Sequence, residues 1–234
     1  MGGCRAPDAY GSDVPPRRRK DTPDRPEVPP AYDPAPDGIG PGALWDGVEA
    51  GPTLAVPGVV AEADLRECRF AGVDLSGRTF TGLHLRDTVF VRCDLSGAVL
   101  DRAVLERVTF ADCRLTGTVL SGAALRDVRV TDSRADLLTL RMARASWLLV
   151  EGSALRGADL HEFAGTHCAF LDCDLTGANL DRADLTGAHL HGSTLDDVRG
   201  ALSLRGARIG PDQQVALGAA LLAALGIQVT DAPA

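Results

Sequence analysis

The side chains most often used for catalysis and metal binding are few in this sequence and do not form a known reactive motif. Histidines occupy positions 84, 161, 167, 189 and 191, and cysteines occupy positions 4, 68, 93, 113, 168 and 173. The cysteines form no CxxC pair, which argues against a zinc cluster. The sequence has no Gly-rich phosphate loop, no GxSxG and no HExxH. We therefore expect no catalytic residue, no cofactor site and no metal site, and a protein that is not an enzyme.

One histidine pair still has to be weighed as a metal site. His189 and His191 stand near Asp184 in the sequence and could bind a metal ion adventitiously. No third ligand is spaced to complete such a site, so a solvated surface is the favoured interpretation.

The overall composition limits the environment and the partners. The 234 residues carry 24 Lys and Arg against 32 Asp and Glu, a net charge of −8. Such a chain should repel free nucleic acid and attract basic surfaces. No apolar run is long enough for a membrane span, and the N-terminus has no apolar signal-peptide core. We expect a cytoplasmic protein with reduced thiols that binds neither nucleic acid nor membrane directly.

A period of five dominates the middle of the chain. Leu or Phe recurs at every fifth position from 65 to 125, and again at 155, 160, 170, 175, 180, 185, 190 and 195. Taking this residue as position i, position i−2 is usually small and position i+2 is often Gly. The period matches neither an α-helix nor a plain strand. It suits a chain that turns a corner every fifth residue, with i and i−2 pointing inward.

A second period gives the number of corners in each turn. Phe70, Phe90 and Phe110 recur every 20 residues at position i. At position i−2 only Cys and Ser occur on one such line, at 93, 113, 133, 153, 173 and 193. Like side chains recurring at 20 predict four pentapeptides per coil, stacked in register. The sequence therefore predicts an all-β, four-sided β-helix over residues 61–209.

The repeat has two defects. Phe163 stands at i−2 and Gly165 at i, so that a large and a small residue exchange places and roughly keep the core volume. In the coil 131–150, Leu137, Met142 and Trp147 occupy i+2 positions where other coils carry Gly or a polar residue. They are a possible apolar contact for a partner; the alternative is that they fold back over a locally distorted coil.

The two ends of the array differ in composition. Residues 1–41 are predicted to be a disordered Pro-rich tail. It contains Arg17–Lys20, either a nucleic-acid or lipid contact or simply a solvated run. Residues 42–60 are more apolar and are predicted to be an N-terminal cap. Residues 210–234 form a C-terminal helix and tail, with the helix over 211–225. Its predicted dimer contacts are Val215, Leu217, Leu221, Leu222 and Leu225.

Negative charge is concentrated near the C-terminal end of the array. Residues 61–110 carry a net charge of −1 and residues 111–160 a net charge of +1. Residues 161–200, hereafter the acidic coils, carry seven acids and two bases, a net charge of −5. These acids, our candidate partner-binding residues, are Glu162, Asp172, Asp174, Asp181, Asp184, Asp196 and Asp197.

The repeat resembles the pentapeptide-repeat family, whose units read A(D/N)Lxx. Ala178-Asn179-Leu180 and Ala183-Asp184-Leu185 carry this pattern. The resemblance implies a right-handed quadrilateral β-helix. The stretch from Leu137 to Gly157 and the tail from Gly206 to Ala216 are also similar to the mycobacterial fluoroquinolone-resistance subgroup of the family.

That second resemblance implies a function. The subgroup mimics B-form DNA in size and charge, forms homodimers through its C-terminal ends and binds DNA gyrase in place of DNA. We therefore expect a DNA mimic that binds a type II topoisomerase and protects it from a quinolone or toxin. The alternative that the sequence leaves open is a structural or protein-interaction scaffold with an unrelated partner.

Overall fold

The computed structural model describes residues 22–230, which build a right-handed, four-sided β-helix as predicted. Its strands pair in parallel with an offset of 20 residues, as Phe90 with Phe110. In chain order they are β1 (Asp33–Pro34), β2 (Leu44–Asp46), β3 (Val48–Ala50), β4 (Val59–Ala61), β5 (Asp64–Arg66), β6 (Arg69–Ala71), β7 (Thr79–Thr81), β8 (His84–Val91), β9 (Val104–Ala111), β10 (Ala124–Thr131), β11 (Arg144–Glu151), β12 (Ala164–Thr166) and β13 (Ala169–Leu171). Two 3₁₀ helices (Ala201–Leu204 and Pro211–Gln213) and helix α1 (Gln214–Ala224) follow.

The 20-residue offset divides the surface into four faces. The first halves of β8 to β11 form the first face and their second halves form the second. The third face is marked by single bridges such as Asp74 to Asp94, and the fourth by bridges such as Thr79 to Val99. Between the first and second faces lies an edge that we call the first corner, made of Glu67, Asp87, Arg107, Asp127, Trp147 and His167.

The core consists of the residues at i and i−2, as the sequence predicts. Both positions are buried along the array, with Arg78 as a half-buried exception at i−2. Phe70, Phe90 and Phe110 stack on one inner face with ring centroids 4.8 and 4.9 Å apart. Those separations equal the spacing of stacked strands, so each ring packs flat on the ring 20 residues away. This confirms the predicted ladder.

The corners require left-handed backbone at position i+2, which explains the glycines there. Glycine adopts positive φ without steric cost, whereas other residues lose roughly 1–2 kcal/mol. Within residues 22–230, seventeen non-Gly residues nevertheless adopt positive φ, among them Asp87, Arg107 and Trp147. At these corners a side chain replaces a glycine despite the strain and projects outward, where it can make contacts.

In the line of Cys and Ser residues at i−2, the serine hydroxyls form hydrogen bonds with backbone groups of the neighbouring coil. The hydroxyl of Ser133 accepts from the Cys113 N–H at 3.0 Å, and that of Ser193 accepts from the Cys173 N–H at 3.0 Å. Ser193 also donates to the carbonyl of Phe170 at 3.0 Å. The small polar side chain therefore satisfies backbone groups that turn away from the ladder at the corner.

The N-terminal boundary differs from the prediction. Residues 42–60, predicted as a cap, contain β2, β3 and β4, which pair with β5, β6 and β7 at the same 20-residue offset as later coils. Trp45 is buried and stacks over Phe70 with ring centroids 6.1 Å apart. The segment therefore forms a coil of the helix itself, and the sequence misses it because Ala50 and Ala55 interrupt the Leu and Phe series.

The Pro-rich segment also differs from the prediction of a disordered tail. Residues 22–34, hereafter the strap, lie along the outside of the coils and hydrogen-bond to them. Asp33 then donates its N–H to the carbonyl of Gly47 at 2.8 Å and begins the first strand. The segment has no core of its own, but it is ordered by docking on the array. Cys4 and the run Arg17–Lys20 lie outside the described residues.

The C-terminal end is closed by the predicted helix, preceded by a 3₁₀ turn. Pro211 is at the start of that turn, and Gly226 follows α1 with a φ of +70°. Gln213 is buried, and its side-chain amide donates to the carbonyls of Leu190 at 2.7 Å and Ser193 at 2.5 Å. Its side chain thus takes the place of a further coil. No helix within residues 22–230 combines the length and apolar character needed to cross a bilayer.

The exchange of Phe163 and Gly165 predicts strong coupling between the two positions. A Cβ on Gly165 would lie 2.7 Å from the Phe163 ring, and Phe163 is fully buried. Phe163→Ala should cost about 3–5 kcal/mol through the cavity, and Gly165→Leu about 1–3 kcal/mol through overpacking. The double variant should recover at least 1 kcal/mol of the summed loss in urea unfolding. Gly165→Leu combined with the distant Phe90→Ala should instead be additive, and additivity in both pairs would contradict the exchange.

Candidate protein-interaction surfaces

The seven acids of the acidic coils lie on the surface but do not share one face. Six of them are exposed and Asp174 is half-buried. The 20-residue register places Asp174 and Asp196 on the third face, Asp181 on the fourth, and Asp197 at the corner between these two. Asp172, Asp184 and Glu162 lie elsewhere around the coil. The negative charge therefore surrounds the solenoid and is densest over its third and fourth faces.

Local contacts fix the orientation of several of these carboxylates. Asp174 accepts from the Thr176 N–H at 3.1 Å, and Asp184 accepts from the Thr186 N–H at 3.1 Å. These contacts place the carboxylates at i−1 close against the coil. The Thr186 hydrogen bonds hold the pKa of Asp184 below its ordinary value. Burial alone would raise the pKa of Asp174, but the hydrogen bonds from Thr176 and Arg156 outweigh it and the pKa is lowered.

Ion pairs neutralise only a small part of the acidic coils. Among the described residues, Glu162 is paired with Arg182 at 3.1 Å, and Asp174 is paired with Arg156 at 2.5 Å. Both pairs are solvent-exposed, where such contacts contribute at most about 1 kcal/mol. The net charge of −5 on residues 161–200 is therefore largely uncompensated at the surface.

The three apolar corner residues do not form one surface. Leu137, Met142 and Trp147 stand at successive corners of the same coil, because each lies five residues after the last and every coil has four corners. Leu137 is 60% exposed and its methyl group reaches over Gly157 of the next coil. The single apolar contact site expected from the sequence is thus not brought together, and its members can act only separately.

Trp147 has a partner of its own on the first corner. Its ring stacks on the imidazole of His167, with centroids 4.1 Å apart and planes 7° apart. Stacked rings at this spacing continue the coil-to-coil ladder on the outside of the molecule. The Trp147 side chain therefore packs on the next coil of its own chain. This is closer to the alternative in which these residues fold back over the coil than to a contact with a partner.

The predicted dimer contacts divide into two groups. Leu217 is buried and Leu221 is partly buried against the coils of the same chain. The inclusion of Leu217 among the dimer contacts was therefore wrong, since it seals its own solenoid. Val215 is 85% exposed and Leu225 60% exposed, whereas Leu222 is intermediate. An apolar surface remains open at this end of the molecule.

A further contact surface was not predicted and lies on the first corner. The Asp87 carboxylate receives two hydrogen bonds from Arg107, at 2.6 and 2.7 Å, and one from the backbone N–H of Glu27 at 2.9 Å. The Asp127 carboxylate receives the N–H of Asp24 at 2.9 Å, and Arg129 donates to the carbonyl of Pro23. The signal in the sequence was the proline spacing at 23, 26 and 29.

The protonation of Asp87 is set by this contact. Burial alone would raise the pKa of its carboxyl, but the hydrogen bonds from Arg107 and from the Glu27 N–H outweigh burial, and the pKa lies below its ordinary value. The same pairing raises the pKa of the Arg107 guanidinium. Both groups therefore stay charged near neutral pH although both side chains are mostly buried.

The histidine pair on the second face shows no metal geometry. The rings of His189 and His191 are 5.7 Å apart and tilted by 44°. Within residues 22–230, no three His, Cys, Asp or Glu side chains are grouped so that they could hold an ion. Burial and the neighbouring Arg208 lower the pKa of His189, which keeps its imidazole neutral.

The contribution of Asp87 to stability should depend on pH in a defined direction. Its pKa is lower in the folded chain than the ordinary value of about 3.9, so its contribution is complete above that value and is lost as the pH falls through the folded pKa. Arg107, Arg86 and the Glu27 N–H are the groups that favour its charge. Asp87→Asn should lower the free energy of unfolding by about 1–3 kcal/mol at pH 7 and by less at a pH below the ordinary carboxyl pKa, near pH 3. An equal loss at both pH values would contradict the assignment.

Comparisons with known proteins agree with this architecture. A family model described as pentapeptide repeat region matches residues 63–140, and one described as pentapeptide repeats (8 copies) matches residues 166–199. A search of curated proteins returns no match.

Solved structures give matches at low identity. HetL, a pentapeptide repeat protein involved in heterocyst differentiation regulation from the cyanobacterium Nostoc, is 19% identical over 72% of this chain and 87% of its own, with a TM-score of 0.36. Trypsin-treated QnrB1, a plasmid-mediated fluoroquinolone resistance protein, is 18% identical over 82% of this chain and 99% of its own, with a TM-score of 0.34. The two family-model matches, on either side of the irregular coil, together with the 20-residue ladder, show that residues 63–140 and 166–199 are pentapeptide repeats.

Proposed function

We propose that the chain is a non-enzymatic, cytoplasmic DNA mimic that binds a type II topoisomerase, DNA gyrase, and protects it from quinolones or toxins. The observation that carries this proposal is the exposed, largely unpaired charge of the acidic coils. In this mechanism the acidic coils occupy the basic surface of the enzyme on which duplex DNA would lie. Complementary charge would speed the encounter and hold the partner without any reaction on this chain.

The charge density of the acidic coils supports mimicry over a short length. Two coils span about 9.6 Å at the strand spacing, and duplex DNA carries about 6 charges over that length. The acidic coils carry a net charge of −5. They also carry it on several faces, as a duplex does, so their orientation about the solenoid axis is not tightly restricted. The preceding coils are close to neutral, which confines the proposed contact to this end.

A two-fold dimer would double the proposed surface. Helix α1 follows the acidic coils after the two 3₁₀ helices, and apolar area is exposed at Val215 on the helix and at Leu225 just after it. Covering that area with the same area of a second copy is the common solution for such a surface. The dimer would place two acidic blocks next to each other at the centre of a longer rod.

A scaffold with an unrelated partner is the competing function. The feature that favours it is Leu137, which is 60% exposed on a corner where the other coils from 61 to 180 carry Gly. Single exposed apolar residues are common on soluble proteins, so this observation is weaker than the charge block. The two functions differ in their dependence on salt and on the acidic side chains.

Removal of charge from the acidic coils should abolish binding to gyrase. Asp172, Asp174, Asp181 and Asp184 can be changed together to Asn with little effect on the fold, about ±0.5 kcal/mol per position. Asn179 already accepts the Asp181 N–H at 3.2 Å, so Asn can make the same local turn. We expect a loss of at least tenfold in gyrase affinity and in protection from a quinolone, with the wild-type affinity falling steeply as salt increases.

The matched control removes equal charge from neutral coils. Asp74 and Asp94 occupy i−1 as Asp174 and Asp184 do, Asp101 occupies i+1 as Asp181 does, and Asp112 occupies i+2 with the positive φ of Asp172. Changing these four to Asn should leave binding within about threefold of wild type, because their coils are not in the proposed contact. Equal losses in both variants would point to net charge alone, and undiminished binding in the first would favour the scaffold.

Charge placed on the exposed side of α1 should separate the proposed dimer. Val215→Glu with Leu225→Glu puts two carboxylates into the apolar area and should leave Leu217, which seals the coil, untouched. We expect a monomer by sedimentation equilibrium at concentrations where the wild type is a dimer. Leu44→Glu, at the opposite end and 79% exposed, should remain a dimer. A dimer that survives the double change must use another surface.

A further inference from the structure

The strap is buried with a period of three. Pro23 is buried, and Pro26, Pro29, Tyr32 and Ala35 are half-buried, whereas the two residues between each of these are exposed. A period of three is that of the polyproline II helix, which has three residues per turn and no internal hydrogen bonds. One edge of such a helix therefore faces the solenoid. Because the helix has no hydrogen bonds within itself, its backbone N–H and C=O groups can bond to the surface on which it docks.

The spacing of this helix matches that of the coils. Asp24 and Glu27 lie three residues apart and donate their N–H groups to Asp127 and Asp87, which lie 40 residues or two coils apart. Three residues of polyproline II rise about 9.3 Å, and two coils rise about 9.6 Å. The first corner thus offers one carboxylate to each of these two N–H groups, at a spacing that matches the rise of the bound helix.

The contacts seen here are made to the backbone and the proline ring. Asp87 and Asp127 accept backbone N–H groups, and Arg129 donates to a backbone carbonyl. Arg107 lies between the two acids in the ladder and fixes Asp87. These contacts use backbone atoms of the strap, and they require a proline at positions 23 and 26 and an N–H on the residue after each of them.

We propose that the first corner around Asp87, Arg107 and Asp127 is a binding site for polyproline II peptides, with residues 22–30 as its resident ligand. A second polypeptide with proline at every third residue and a free N–H after it can take the place of this segment. The chemistry resembles the recognition of preformed proline helices by other grooves, because little conformational entropy is lost on binding. The resident segment competes at a high effective concentration, so replacement requires its release.

Release can be achieved by removing the two N–H donors without changing the helix type. Asp24→Pro with Glu27→Pro deletes both N–H groups and favours the polyproline conformation. Val28→Pro is the matched control, because Val28 is 55% exposed on the outer side of the strap. Glu27→Ala removes a side chain of the strap and keeps both N–H groups. The NMR order parameters of Arg25 and Ala31, whose N–H groups are kept in every variant, should fall from about 0.85 to below about 0.6 in the Pro double variant and stay near the wild-type values in both controls.

A labelled peptide with the sequence of residues 22–30 then tests the site in the full-length chain. By fluorescence anisotropy it should bind the released variant at least tenfold more tightly than the wild type, whose site is occupied. A scrambled peptide without the three-residue proline spacing should not bind. Arg129→Met in the released variant should weaken the peptide at least tenfold, since it deletes the donor to the Pro23 carbonyl.

Two results would overturn the proposal. The first is an unchanged order parameter of the strap in the Pro double variant, because the two N–H groups would then not hold it. The second is a released strap with no binding of the peptide, shown on a chain whose circular dichroism is native.

Discussion

The fold depends on one constraint, the fixed rise of about 4.8 Å between neighbouring coils. Each backbone N–H along the faces is satisfied by a residue about 20 positions away, so a side chain packs mainly on its own equivalent in the next coil. Flat rings fit this rise, which is why Phe70, Phe90 and Phe110 stack at nearly that distance. Side-chain volume can be exchanged between two core positions of one coil, as at Phe163 and Gly165. An inserted or deleted residue, however, would shift the 20-residue register of the backbone hydrogen bonds to the neighbouring coils.

The sequence was informative wherever structure repeats at short range. The inward positions and the four faces follow from periods of five and 20, because stacking forces like residues onto like positions. The closing helix follows from local signals, Pro211 at its start and Gly226 after it. The same register could have shown that Leu137 and Met142 stand on different corners. The strap could not be placed in this way, since its prolines carry little apolar area and its partners Asp87 and Asp127 lie far along the chain. Only the stacked coils bring those two acids into line with it.

The outward corners are the positions where this fold can vary. Inward residues are restricted by packing, whereas a corner residue is restricted mainly by its left-handed backbone. Different corner ladders therefore carry different surfaces on one scaffold: acids and bases that hold the strap, a Trp147–His167 stack, and single apolar side chains. The acidic coils use the faces as well as the corners, which gives a broad charged surface and not a pocket.

The amide of Gln213 also bears on how long such a molecule can grow. A stacked coil exposes at its end the same unpaired carbonyls that would receive another coil, and such an end is a template for strand addition by a neighbouring chain. Gln213 fills the hydrogen-bonding positions at Leu190 and Ser193 with a side chain that offers no further strand. The Gln213 side chain therefore helps to end the stack of coils at a defined length, because it blocks two of the backbone positions at which a strand of another chain could add and extend the stack into a fibre.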